Sequence, residues 1–337
     1  MRGRRVTRLT IFGAAATLLA GGARGAPAQT ATRAPVIAVS DEVGHEVRLV
    51  DAGTGATLAT IPTNARARGI HASRDGKRVY VALSDDAVNA QSSADAIAVI
   101  DVATRRIVER LPAGSDPEQF AVTSDDRWLV ASNEDASAAS VVALDGGGVA
   151  ATLVVGIEPE GVAVSPDGRW ALVTAETSNS VSIVDLRARV VAGAVLVDPR
   201  PRGVAFSVDG ARAYVSAEIG GTLSEIDVRR KTVARTVPLE HGAGKPVGVA
   251  VSPDGRRVYV ANGAADAVSV LDARTLRPVG RVAVGRRPWG IAVSRDGRWI
   301  ATANGLADTI SLIDATTLQV VRTVPAGRRP WGVTFLP

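Results

Sequence analysis

One unit of sequence recurs seven times along these 337 residues. Gly248-Val249-Ala250-Val251-Ser252-Pro253-Asp254-Gly255 returns as Gly290-Ile291-Ala292-Val293-Ser294-Arg295-Asp296-Gly297, and close variants lie upstream. The turn aspartates are Asp75, Asp125, Asp167, Asp209, Asp254 and Asp296. A second landmark follows each time, an alternating apolar run ending in Asp51, Asp101, Asp145, Asp185, Asp227, Asp272 or Asp314. The mean period between these landmarks is about 44 residues. A chain built this way cannot bury one repeat alone, so neighbouring repeats must stack.

Each unit reads as four short strands. Gly-Val-Ala-Val-Ser is the first, and a Pro-Asp-Gly turn follows, where glycine supplies positive φ. The second is β-branched and aromatic, as in Val258-Tyr259-Val260-Ala261, and the third alternates, as in Ile310-Ser311-Leu312-Ile313. Its terminal Asp can accept backbone N–H groups of the next turn. The fourth is again apolar. Four strands in about 44 residues, seven times over, predict an all-β, seven-bladed β-propeller of four-stranded antiparallel blades. The chain starts out of phase: residues 36–40 align with a second strand and residues 332–335 with a first strand. The C-terminal strand is therefore expected to join the first blade and close the ring, which removes two sheet edges. A monomer is expected.

Residues 1–28 carry the layout of a secretory signal peptide: Arg2, Arg4, Arg5 and Arg8, an apolar stretch over 9–20, and a small-residue site at Ala26-Pro27-Ala28. The propeller domain is then 29–337, and a periplasmic or secreted location follows. Removing the segment takes away five arginines and no acid, so 39 basic residues become 34 against 34 acidic. Net charge near zero gives no support for nucleic-acid binding. The absence of cysteine excludes thiol catalysis, Fe–S clusters and covalent c-type haem.

Tyr259-Val260-Ala261-Asn262, the run Val268 to Asp272 and the Ser-Pro-Asp-Gly turns resemble the YVTN-type β-propeller repeat. Within it, the exported, cysteine-free, seven-repeat layout is similar to propellers associated with pyrroloquinoline-quinone (PQQ)-dependent alcohol catabolism. That resemblance implies a non-catalytic binding or scaffold protein. It would dock a protein partner or small ligand, such as a quinoprotein dehydrogenase or transporter component, and need no cofactor. The seven-bladed lactonase family shares the fold and is the competing reading. The second unit departs by extra residues over 84–95, and the third by an irregular turn at 146–148.

Strand order places the variable loops on one face. The residues preceding the first-strand glycine should rim the central channel there: Arg68, Glu118, Glu160, Arg202, Val247, Trp289 and Trp331. After the second strand come Glu42, Ser84, Glu134, Glu176, Glu218, Gly263 and Gly305. Arg-Arg-Pro-Trp-Gly occurs twice and adds Arg286, Arg287, Arg328 and Arg329. Tryptophan and arginine are common binding anchors, so these residues form the candidate ligand or partner surface. His71 replaces an alanine of the first strand and is a further candidate; a lone inner-strand histidine is more often a hydrogen-bonded core residue. Clustered carboxylates can bind Ca²⁺, but none has the spacing of a calcium loop, so no metal is assigned. No Gly-x-Ser-x-Gly elbow occurs, and no catalytic residue is assigned. A lactonase would draw on Glu118, Glu160, Arg202 and His71.

Overall fold

The structure is a computed structural model that describes residues 1, 3, 35–85, 94–146 and 148–337. The signal-peptide expectation over 1–28 and most of the 84–95 insertion lie outside the described residues. Residues 34–337 form one compact unit.

That unit contains seven four-stranded antiparallel sheets. Six are built from consecutive strands. The seventh orders Pro330–Leu336, Val36–Asp41, Glu46–Asp51 and Thr57–Pro62. Ile37 pairs with Phe335 and Val39 with Val333, so the C-terminal strand closes the ring as expected. Seven apolar clusters hold the molecule together, and each lies between two blades. Val47, Leu49 and Ile61 of the first blade pack with Val79, Val81 and Ile100 of the second. Tyr259, Val268 and Val270 pack with Ile300 and Ile313 of the last. The first strands face the channel and the second and third are buried; the fourth strands alternate with solvent, as in Thr232–Pro238.

Two polar devices fix the frame. In six turns between first and second strands, the Ser or Thr hydroxyl donates to the turn aspartate, as from Ser165 to Asp167 at 2.5 Å. The same Ser165 oxygen accepts from Trp170 N–H at 2.9 Å. These bonds hold the Asp167 carboxyl below its ordinary range, led by the Ser165 hydroxyl. Between third and fourth strands, Asp51, Asp101, Asp272 and Asp314 accept from the backbone N–H of Thr54, Thr104, Thr275 and Thr317.

The second device joins blades. Thr174 accepts from Gly161 N–H in its own blade and donates to the Arg202 carbonyl of the next at 2.8 Å. Ser132 makes the same bridge to Glu160, Ser216 to Val247 and Ser40 to Arg68. First strands therefore approach closely. A Cβ on Gly161 would meet the Arg202 carbonyl oxygen, and one on Gly203 that of Val247, both inside van der Waals contact. Glycine is needed there for space; in the third blade Gln119 stands in its place.

Candidate active site

Each first strand slips register where it meets the channel mouth, as between Pro159 and Val162 or Pro288 and Ile291. The residue before each of six first-strand prolines has positive φ: Asp116 at 46°, Glu158 at 54°, Arg200 at 61°, Lys245 at 46°, Arg287 at 54° and Arg329 at 62°. A bulge re-aims the side chains it carries. Here it turns the rim residues toward the mouth, and they are covered: Glu118 is 0% exposed, Glu160 4%, Trp331 5% and Arg202 9%.

The charged rim residues pair with one another. Arg202 lies 3.0 Å from Glu160, 2.6 Å from Glu176 and 3.1 Å from Glu218. Arg200 adds a contact of 2.6 Å to Glu176, and Arg287 one of 2.7 Å to Glu218. On the opposite side Arg68 pairs with Glu118 and, at 3.0 Å, with Glu42. Arg66 lies 2.7 Å from Asp116 and 3.4 Å from Glu118. The aromatic arc joins this system: the Trp289 and Trp331 rings stack at 6.4 Å with a 20° interplanar angle. The Arg202 and Arg287 guanidinium groups lie over Trp289 at 5.1 and 4.6 Å, and Arg68 over Trp331 at 5.9 Å. The bowl at the mouth is lined by Arg68, Arg202, Arg287 and Arg329, with Glu42, Leu306 and both indoles. Its floor, about 130 Å³, takes residues from all seven blades.

Glu134 differs from its neighbours. It is half-buried, and among the described residues no arginine pairs with its carboxylate. Burial first, then the Glu160 charge, push its proton affinity up to about 7. Glu176 is pushed up by the same two causes, against Arg202 and Arg200. Glu218 goes the other way, because its two arginines outweigh burial. Near neutrality this mouth thus holds a carboxyl able to take or give a proton beside fixed positive charge. The carboxylate oxygens of Asp116, Glu118 and Glu134 lie within 4.8 Å of one another. Arg66 and Arg68 already neutralise two of these acids, which leaves little electrostatic need for a divalent cation there.

The structure brings together Arg68, Glu118, Glu134, Glu160, Glu176, Arg202, Glu218, Trp289, Trp331, Arg287 and Arg329. Arg286 and Arg328 are not among the residues that line the bowl. Their guanidinium groups turn to the Leu306 and Val43 carbonyls at 2.8 and 3.1 Å, because the positive φ of the next residue sends alternate side chains to opposite sides. His71 lines the floor rather than the rim and meets Phe120 edge-on at 5.0 Å. Burial drives its proton affinity down to about 4, so it is neutral near pH 7. Sequence reasoning missed Arg66, Asp116 and Arg200. Each lies two residues before a rim residue, so the period-2 rule would have placed it on the same side.

The lactonase, 7-bladed beta-propeller family matches residues 36–153 and 198–326. None of the curated proteins matches in sequence. Among solved structures, the chain is similar to hydrazine synthase of Kuenenia stuttgartiensis, at 19% identity over 86% of this chain and 98% of that one, with a TM-score of 0.73. A Bacteroides fragilis protein described as a candidate 6-phosphogluconolactonase gives 19% identity over 91% and 99%, with a TM-score of 0.75. One from Bacteroides uniformis, described alike, gives 18% over 90% and 99% at 0.73. At such identities the likeness shows the fold alone. The family match overturns the expectation of a non-catalytic companion in PQQ-dependent catabolism and favours the hydrolase reading. That expectation rested on turn and strand residues whose cause is the repeat itself, and these do not separate one propeller function from another.

Proposed function

The chain belongs to the lactonase, 7-bladed beta-propeller family, and from that premise we propose that it hydrolyses a lactone at the channel mouth. The carrying observation is Glu134, a half-buried carboxyl that no arginine pairs with among the described residues, beside the charge of Arg68 and pushed up to about 7 by burial and by Glu160. In its ionised form Glu134 takes a proton from water as that water attacks the lactone carbonyl carbon. The Arg68 guanidinium stabilises charge developing on the carbonyl oxygen. The ring C–O bond then breaks and Glu134 returns its proton to the leaving ring oxygen, giving a hydroxy acid. Water is the only co-reactant. The paired carboxylates Glu118 and Glu160 keep Arg68 and Arg202 in place. Two Bacteroides proteins of the same fold carry a 6-phosphogluconolactonase description, which makes sugar-acid lactones the first class to assay.

The test is a panel of aldonic δ- and γ-lactones, with and without a phosphate group. Glu134→Gln should lower kcat by about 100-fold or more, the usual range for a lost acid–base group. In the parent, kcat/KM should rise with pH through about 7. No turnover of any lactone, or an unchanged Glu134→Gln variant, overturns the reading. We also propose export, on the arginine-first, apolar N-terminal segment; N-terminal sequencing should then begin near Gln29.

A further inference from the structure

The residue after each second strand is glycine in two blades. Four blades carry glutamate there, Glu42, Glu134, Glu176 and Glu218, and one carries Ser84, whereas Gly263 and Gly305 occupy the position in the sixth and seventh. Both glycines are buried, and neither has positive φ. Their backbone would accept any residue, so conformation does not demand glycine here. Space does. A Cβ on Gly305 would lie 2.6 Å from Cδ1 and 2.8 Å from Nε1 of Trp289, and 3.4 Å from the Pro330 carbonyl oxygen. A Cβ on Gly263 would lie 3.1 to 3.3 Å from Cδ, Nε and Cζ of Arg287. The first contact is with a rigid ring in a closed place; the second is with a flexible chain.

We infer that Gly305 is a positioning residue that seats the Trp289 indole beside Trp331, and that the resulting indole pair is the platform for the ring face of the substrate. Gly263 does the lesser task of letting Arg287 reach both Glu218 and the Trp289 face. The two glycines also keep carboxylates out of one arc of the mouth. The bowl there is lined by four arginines against Glu42 alone. A lactone ring whose C–H face lies against the indoles, with its oxygens toward the guanidinium groups, suits that asymmetry. The substrate half of this inference rests on the lactonase reading. The seating of Trp289 does not.

The experiment is a double-mutant cycle of Gly305→Ala with Trp289→Ala, read by melting temperature and near-ultraviolet circular dichroism. Gly305→Ala should lower Tm and weaken the coupled signal of the two stacked indoles. In the Trp289→Ala background the same substitution should cost little, because the ring it strikes is gone. An equal penalty in both backgrounds, or an unaltered dichroism spectrum in Gly305→Ala, overturns the seating. For the platform, Gly305→Ala should raise KM for the best lactone roughly fivefold to tenfold, about the worth of one aromatic contact. Its kcat and the midpoint of its pH profile should hold, since Glu134 is untouched. A displaced indole with unchanged KM overturns the platform. If the parent turns over no lactone, the platform falls with the lactonase reading, and the cycle still decides the seating.

Discussion

The proton affinity of Glu134 has a consequence for stability as well as for chemistry. Its folded pKa is raised to about 7 by burial and by Glu160. A raised carboxyl binds more protons folded than unfolded, so it penalises the fold as pH climbs from the ordinary carboxylate range to about 7. Glu134→Gln removes the penalty. Its stability relative to the parent should therefore grow between pH 5 and pH 8, by on the order of 1 kcal/mol. Denaturant melts at both values check this; a difference that does not change with pH sinks it. Arg202 makes the opposite case. It lies against Glu160, Glu176 and Glu218, all three buried. Arg202→Met strands Glu160 and leaves Glu176 and Glu218 to Arg200 and Arg287, and losing one partner of a buried ion pair typically costs about 3–5 kcal/mol. Arg202→Met should unfold at much lower denaturant, and most of the loss should return when Glu160→Gln and Glu176→Gln are added. No recovery in the triple variant would show that packing, not charge, was lost.

At the scale of one strand or turn, the sequence was most legible where the cause is local. Ser165-Pro166-Asp167-Gly168 closes a hairpin through its own side chains, so any copy of the motif can be read without knowing its neighbours. The Asp167 pKa is held down chiefly by the Ser165 hydroxyl. A depressed carboxyl contributes stability above its unfolded pKa and loses it as pH falls through the folded one. Asp167→Ala should thus lower Tm by a few degrees at most near pH 7, a difference that vanishes in acid once the carboxyl is protonated in both states. Persistence of the difference in acid would assign it to the side chain's packing. The rim register was legible for the same reason, since one residue before a repeated glycine occupies one place in every blade. Alternation also picks Arg287, two residues before Trp289, over Arg286, but not what either meets. Arg286 and Arg287 differ only in the φ of the linker and in whether a carbonyl or a carboxylate waits for them. Glu218, the partner of Arg287, comes from another blade. Glu134 was found as one of four equivalent glutamates; its separation from Glu218 depends on which neighbours supply arginine, a fact of ring order rather than of the repeat.

The ring itself is the largest cooperative unit. Every apolar cluster spans two blades, so no blade has a core of its own, and the first blade depends on the chain's last residues. Val333, Phe335 and Leu336 are buried in the seams on either side of that blade. Gly332 N–H donates to Ser40 Oγ at 2.9 Å, and the Ser40 hydroxyl passes the contact on to the Arg68 carbonyl. Deleting 332–337 strips these groups and leaves Val36–Asp41 with an unpaired edge at the channel. Each large apolar side chain removed is worth about 1.5–3 kcal/mol, so three approach the whole stability of a typical domain, about 5–15 kcal/mol. The truncated chain should melt far below the parent or fail to fold, and unpaired edges should make it aggregate. Phe335→Ala, which keeps the strand and its ladder, should lose only about 3–5 kcal/mol and remain a closed ring. A truncated protein melting at the parental temperature would mean the ring does not need its last strand, and the seam-by-seam account of its stability would be wrong.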